Sequence, residues 1–160
     1  MTISVLTTAP AAATAPGANL GDLIAKEASI WIGTPFVHQG RIKGRAVDCA
    51  NFVALVAMNV GLTDIEIPNN YHPQEDGIEM LRLLEKYLEV IPNSQRHRGD
   101  IIAFCDEVCR EPDVPRHLVI VDEVTANTTY VIDATEHGIT RHRLDGRFLR
   151  RIHSCWRACA

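Results

Sequence analysis

The first half of the chain has the apolar spacing of helices. Apolar side chains recur every three or four positions in residues 20–31, 52–60 and 78–88. This spacing places them on one face of an α-helix and predicts three amphipathic helices. Residues suited to cap these helices stand at their beginnings: Asn19, Asp48, and the pair Asp76 and Glu79. Gly33 and Gly61 are expected to end the first two helices.

From Gly99 onward the pattern changes to the period of strands. Five short segments, most of them alternating, predict strands: DIIAF, HLVIVDE, TYVIDA, ITRHRL and RRIHSCWRAC. Asn127, Gly138 and Gly146 are expected in the turns between them. Helices followed by a run of strands indicate an α+β fold with an antiparallel sheet of about five strands.

The length of 160 residues fits one domain with a core of its own. Residues 1–18 are rich in Ala, Thr and Pro and are expected to be a flexible lead before a single domain at 19–160. The beginning of the chain lacks the basic start and apolar block of a Sec signal. We therefore expect a protein made in the cytoplasm that is not exported by the standard route, so another carrier would be needed for work outside the cytosol.

Composition argues against two classes of partner. The net charge of −4 disfavours nucleic acid, which rewards a basic surface. No apolar run approaches the ~20 residues that a membrane helix needs. We therefore expect no nucleic-acid partner and no membrane span.

Cys49 stands between a glycine-rich loop and a strongly apolar helix, in the sequence GRAVDCANFVALVAMNVGL. The first backbone N–H groups of a helix and its macrodipole favour negative charge, so they favour the thiolate, which is the nucleophilic form of cysteine. A nucleophile of a cysteine hydrolase is one interpretation. A small apolar side chain on its own helix is the other.

A nucleophilic cysteine needs a base, and His117 at the beginning of HLVIV is the best candidate. Asp133 in YVIDA is a short carboxylate among apolar residues, where it requires a partner. If the two strands form a hairpin, Asp133 can accept the Nδ1–H of His117, with Nε2 facing Cys49. A surface histidine and a turn aspartate are the alternatives.

The segment WIGTPFVHQGRIKGRAVDCANFV resembles the nucleophile motif of NlpC/P60 cysteine peptidases: Gly-Thr-Pro-Tyr, a glycine loop, then Asp-Cys-Ser-Gly-Phe-Val. HQGRIKG is similar to the cell-wall peptidases of phage tail gene clusters. RGDIIAF, RHLVIV, YVIDA and GITRHRLDGRFLRRI resemble the later strands of the family in order and spacing.

This resemblance implies a papain-like fold, with the cysteine helix packed on the sheet that carries the histidine. It implies hydrolysis of peptidoglycan stem peptides, typically between D-glutamate and a diamino acid, without a cofactor. Cys49 would be the nucleophile, His117 the base and Asp133 the orienting residue. The backbone N–H of Cys49 would help to bind the oxyanion. Possible protein partners are those of a phage tail or a secretion machine. Together with the lack of a Sec signal, the resemblance implies action on the cell wall or periplasm after delivery, or association with a virion.

The chain departs from the family pattern at three places. Phe36 replaces a tyrosine, Ala50-Asn51 replaces Ser-Gly, and Asp133 stands where histidine is usual. The first two changes keep open a tail structural or adaptor protein that has lost the chemistry. A thiol amidase acting on another amide and a toxin delivered by an injection machine are further alternatives. The residues expected to contact substrate are Phe36, His38, Asp48, Ala50 and Tyr71.

Two C-x3-C pairs, Cys105 with Cys109 and Cys155 with Cys159, leave three possibilities. Four thiolates suit zinc, although the spacing is unusual for it, and no metal is expected. The first and last strands are neighbours in a papain-like sheet, so Cys105 and Cys155 could form a disulfide. Four free, packed thiols are the third possibility. His137 and His142 flank a turn and are expected on the surface.

Overall fold

We describe the protein from a computed structural model, for residues 19–64, 70–71, 77–106 and 114–159. The predicted lead at 1–18, the capping residue Asp76 and Cys109 lie outside these residues.

Three helices form where apolar spacing predicts them: α1 at Leu20–Ser29, α2 at Cys49–Asn59 and α3 at Gly77–Tyr87. The caps of the first two are confirmed. Asn19 Oδ1 accepts from the Gly21 amide at 2.9 Å, and Asp48 Oδ1 accepts from the Asn51 amide at 2.9 Å. Among the described residues, no helix has the length and hydropathy needed to span a bilayer.

The main sheet has six antiparallel strands rather than about five. The strands of the protein are β1 Arg41–Ile42, β2 Ala46–Val47, β3 Glu89–Ile91, β4 Ile101–Phe104, β5 His117–Val124, β6 Thr129–Thr135, β7 Gly138–Arg143 and β8 Ile152–Arg157. The order in the main sheet is β3-β8-β4-β5-β6-β7. All five predicted strands are confirmed, and the additional strand is β3. Its three residues are too few to show a period of two.

Two short elements were not predicted. The glycine-rich loop contains the small hairpin β1–β2, which pairs Arg41 with Val47. A short helix, α4 at Gly146–Leu149, interrupts the segment assigned to closing strands. Asp145 caps α4 by accepting from the amides of Arg147 and Phe148 at 2.9 and 3.2 Å. An Asp-Gly pair fits a turn as well as a helix beginning, so strand spacing alone did not separate the two.

The sheet has a core on each face. Helices α1 and α2 pack on one face, where Trp31 meets Phe52 edge-to-face at a centroid distance of 6.0 Å. A smaller apolar cluster lies on the other face, around Phe104 and Val131. Helix α3 contributes the buried side chain of Leu84. Ile78, which was predicted on the apolar face of α3, is instead 56% exposed because it lies in the first turn, away from this contact.

The loop after α1 is attached to the outer edge of β7. The Gly33 amide donates to the Ile139 carbonyl at 2.9 Å, and the Ile139 amide donates to the Thr34 carbonyl at 2.8 Å. Gly138 permits this close approach. Its φ is +94°, and a Cβ there would lie 2.7 Å from the Thr34 oxygen. These bonds hold the segment that leads to Phe36 against the sheet.

Candidate active site

Cys49 is the first residue of α2, immediately after its cap Asp48. Its thiol is free, and its side chain is half-buried against the main core. The first backbone N–H groups of a helix have no partners within it and can stabilise negative charge. Asp48 caps that of Asn51, so those of Cys49 and Ala50 are the ones placed beside the thiol for this task.

His117, the first residue of β5, lies beside Cys49 and is held by Asp133. The His117 Nε2 atom is 2.5 Å from Asp133 Oδ1. β5 and β6 pair in the register Val119↔Asp133, so the aspartate is diagonal to His117 on the same side of the strands. Asp133 is only 2% exposed. The predicted contact between His117 and Asp133 is present.

The predicted ring orientation of His117 is wrong. Nε2, rather than Nδ1, faces Asp133. This leaves Nδ1 for the Cys49 sulfur, with which His117 also forms a side-chain hydrogen bond. The prediction followed the serine protease arrangement. In this structure His117 is the first residue of its strand, and Asp133 is diagonal to it on the next strand. Nε2, the ring nitrogen farther from the backbone, is therefore the one that reaches the carboxylate.

The surroundings of His117 favour its protonated form. Burial lowers the pKa of His117, but the charge of Cys49 and the hydrogen bonds with Asp133 and Cys49 outweigh it and raise that pKa to about 10. A thiolate beside an imidazolium is the resting state that a cysteine hydrolase uses.

His142 is a further member of this cluster that the sequence analysis missed. Its Nε2 atom lies 2.9 Å from Asp133 Oδ2, so it is not the surface residue that was predicted. Burial raises the pKa of Asp133, but the bonds with His117 and His142 outweigh it and lower that pKa to about 2. His142 pairs with Val131 across β6–β7 and so reaches Asp133 diagonally, a relation that only the strand register reveals.

A second polar network surrounds Asp48 on the other side of Cys49. Asp48 Oδ2 accepts from the Gln39 amide at 2.7 Å and from the Tyr71 hydroxyl, which in turn accepts from Asn51 Nδ2 at 2.8 Å. Burial, together with the bond to Asp48, raises the pKa of Tyr71 well above its usual range. His38 Nε2 contacts the Tyr71 carbonyl at 3.2 Å. Asn51, regarded from the sequence as a departure beside the nucleophile, therefore has a structural role in this network.

A cleft of about 410 Å³ opens beside Cys49 and His117. Every residue predicted to contact substrate lines it: Phe36, His38, Asp48, Ala50 and Tyr71. Most of the remaining lining is apolar and comes from α2 and α3, including Val53, Met80 and Leu84. A cleft with these few polar groups around the thiol is suited to a small peptide segment.

Arg116 lines the cleft next to His117 and was not identified from the sequence. Its Nε atom is 3.4 Å from Asp106 Oδ2. Among the described residues, its buried Nη1 atom has no hydrogen-bond partner. A guanidinium with an unused donor is suited to bind a carboxylate.

The cysteine pairs differ from all three possibilities considered above. Cys105 is in a disulfide, whereas Cys155 and Cys159 are free thiols. The predicted Cys105–Cys155 disulfide is therefore wrong, as is a set of four free thiols. A zinc site of four thiolates is not formed, because the Cys105 sulfur is already bonded. No group of three or more metal-ligating side chains occurs in the part of the chain that the structure describes.

No family model and no curated protein matches the chain. Solved structures do match it. An NlpC/P60 family protein from Bacillus cereus ATCC 10987 superposes with a TM-score of 0.63 at 15% identity, over 89% of this chain and 41% of that one. The NlpC/p60 domain of peptidoglycan hydrolase SagA superposes with a TM-score of 0.57 at 23% identity, over 86% of this chain and 97% of that one. The predicted papain-like α+β fold is confirmed: it is the fold of NlpC/P60 proteins.

Proposed function

We propose that the protein is a cysteine peptidase that hydrolyses an amide bond in peptidoglycan stem peptides. The observation that carries the proposal is the contact of Cys49, at a helix beginning, with a histidine held by a buried aspartate. The fold supports it, since one structure with this fold is a peptidoglycan hydrolase domain. The sequence resemblance supports it as well.

The geometry suggests a two-step reaction. The Cys49 thiolate attacks the carbonyl carbon of the scissile amide, and the backbone N–H groups beginning α2 stabilise the oxyanion. His117 donates a proton to the departing amine, which leaves a thioester on Cys49. A water molecule then gives a proton to His117 and attacks the thioester. The products are a carboxylic acid, which loses its proton to solvent, and the regenerated pair of Cys49 thiolate and His117 imidazolium. Asp133 holds the ring in place throughout.

The proposed bond joins D-glutamate to a diamino acid. A glutamyl residue linked through one carboxyl group retains the other, close to the scissile bond. Arg116 lines the cleft beside His117 and its side chain is 30% exposed, so its guanidinium is suited to bind that carboxylate. The apolar wall from α2 and α3 would contact the aliphatic parts of the peptide.

We extend the proposal to delivery by a phage tail or an injection machine. This part rests on the resemblance of HQGRIKG to phage tail peptidases. A structural or adaptor protein with the same fold is the rival function. It requires no contact between Cys49 and His117, whereas both side chains line the cleft together.

Mass spectrometry of muropeptides tests the proposal. The purified protein, incubated with muropeptides, should release fragments that end at D-glutamate. Cys49→Ala should abolish their release with an unchanged circular dichroism spectrum, whereas Cys159→Ala, at an exposed thiol, should retain it. Release by the Cys49→Ala protein, or no release by the wild type, would contradict the proposal.

Replacing Arg116 tests the choice of substrate. Arg116→Gln should raise KM on the order of tenfold, because a hydrogen bond to a charged group contributes about 1.5 kcal/mol or more. Arg82→Gln, at an exposed arginine of α3, is the control. Amidating the free carboxyl of the glutamyl residue should weaken binding to the wild type but not further weaken binding to Arg116→Gln. Equal losses in both proteins would remove Arg116 from the site.

A further inference from the structure

Both ring nitrogens of His142 face oxygen atoms that can only accept hydrogen bonds. Nε2 is 2.9 Å from the Asp133 carboxylate, and Nδ1 is 3.1 Å from the Arg143 carbonyl oxygen. A neutral imidazole carries a hydrogen on one nitrogen only, so it could satisfy just one of these contacts. The two distances together therefore favour the doubly protonated imidazolium.

The groups around His142 favour a positive charge. Asp133 faces it from β6, and Asp145 acts on it from the turn after β7. Burial lowers the pKa of His142, but the bond to Asp133, which is the largest effect, and the bond to the Arg143 carbonyl raise it. The opposing cations are His117, beyond Asp133, and the neighbouring Arg143.

Packing fixes the position of the His142 ring. Its side chain is 26% exposed, and the ring packs on Phe148 of α4 with centroids 5.2 Å apart. The Arg151 guanidinium lies 5.8 Å from the centroid of the same Phe148 ring. α4 was not predicted from the sequence, and supporting His142 is one consequence of its presence.

We propose that His142 is a positioning residue for His117: as a cation it holds the Asp133 carboxylate in the orientation that aligns His117 with Cys49. The proposal rests on the proposed function and deepens it. Each oxygen of Asp133 is bonded to a different imidazole, which prevents the carboxylate from rotating. The four side chains form a row from Cys49 through His117 and Asp133 to His142, in which the Asp133 carboxylate lies between two imidazole rings.

The row accounts for the presence of an aspartate where the resembled family usually has a histidine. A neutral histidine at that position would accept one bond from His117. An aspartate accepts that bond and carries a buried charge, which is costly unless it is compensated. His142 supplies the compensating charge.

Nitrogen NMR of the wild-type protein tests the charge of His142 without any substrate. At about pH 8, well above the ordinary histidine pKa of about 6.5, both ring nitrogens of His142 should have protonated chemical shifts. His137, whose side chain is 80% exposed, is the reference histidine in the same spectrum. A neutral His142 ring at this pH would overturn the proposal.

Variants test the positioning role, with Cys49 alkylation as a readout that is independent of hydrolysis. His142→Phe keeps a ring against Phe148 but loses both bonds, and His142→Gln keeps a neutral donor. Both should move the alkylation–pH profile of Cys49 to higher pH, and His142→Phe should move it further. His137→Phe and His137→Gln are the matched controls.

Replacing His142 should change kcat much more than KM. His142→Phe should lower kcat on the order of tenfold with little change in KM, and His142→Gln should restore part of the loss. Profiles and kcat values equal to those of the His137 controls would overturn the proposal. If the wild type does not cleave muropeptides while the alkylation profiles shift as expected, the proposed function fails and the positioning role stands.

Discussion

Two buried aspartates lie on either side of Cys49, and their partners are of different kinds. Asp48 and Asp133 are 3% and 2% exposed. Asp48 accepts hydrogen bonds from two backbone amides and the Tyr71 hydroxyl, all neutral donors, and the His38 Nδ1 atom lies farther away, at 3.5 Å. Asp133 accepts from two imidazoles, which can carry charge.

This difference assigns the two carboxylates different tasks. The donors to Asp48 keep their protons throughout the ordinary pH range, so this network fixes the shape of one wall of the cleft. The donors to Asp133 can gain or lose protons, so this network determines the charge and direction of His117. We therefore expect changes at Asp133 to affect mainly kcat, and changes around Asp48 to affect mainly stability and KM.

Asp133→Asn should have the largest effect of the changes that test this comparison. An asparagine must point its amide nitrogen at one of the two imidazoles, which breaks that bond. We expect kcat to fall on the order of 10- to 10³-fold, less than in a serine protease because a thiol is more acidic than a hydroxyl and depends less on its base. Asp122→Asn, on the neighbouring strand and outside the cleft, is the control for kinetic measurements. If both variants are equally active, Asp133 has no catalytic role.

The pH dependence of kcat is the second test of the difference between the Asp48 and Asp133 networks. Because the pKa of His117 is raised to about 10, the imidazolium should persist below this value, and activity should decline by about tenfold per pH unit above it. In Asp133→Asn the decline should begin at lower pH, since a bond that raises the pKa of His117 is lost. An unshifted alkaline limit would show that Asp133 does not act on His117.

The same pKa shifts predict how stability depends on pH. The raised pKa of His117 gives a stabilising contribution that is complete below about pH 6.5 and is lost as the pH rises through about 10. The lowered pKa of Asp133 gives one that is complete above about pH 4 and is lost as the pH falls through about 2. The free energies of unfolding of wild type and Asp133→Asn, measured in urea, should therefore differ most between about pH 4 and pH 6.5, where both contributions are complete. If the two free energies instead change in parallel with pH over the whole range, this assignment is contradicted.

Tyr71→Phe should have the smallest effect on catalysis. It removes the hydroxyl between Asp48 and Asn51 and leaves two buried polar groups without this partner. We expect the free energy of unfolding to fall by about 1–3 kcal/mol, with a rise in KM and a change in kcat smaller than that of Asp133→Asn. Tyr130→Phe, whose ring packs under Arg141, is the control. A loss of kcat as large as that of Asp133→Asn would remove the distinction between the two networks.

The sequence predicts contacts between residues that are close along the chain better than contacts between distant ones. The caps Asn19 and Asp48 lie within a few residues of their partners, and both were predicted. The contact of His117 with Asp133 needs only one hairpin, so it was predictable as well. His142 requires the register of a second strand pair and the diagonal placement of Asp133. The Asp48 network requires Tyr71 to return from a distant loop, so it leaves no periodic signal in the sequence.

The attachment of the loop after α1 to β7 has a consequence for local unfolding. An edge strand commonly opens first and exchanges its amide hydrogens early. At the beginning of β7, the Ile139 amide and carbonyl are bonded to Thr34 and Gly33 instead of facing solvent. Opening this end of the edge therefore requires the loop that carries Phe36 to detach. Hydrogen exchange at Ile139 should consequently report on the motion of the cleft wall, although the amide itself lies outside the cleft.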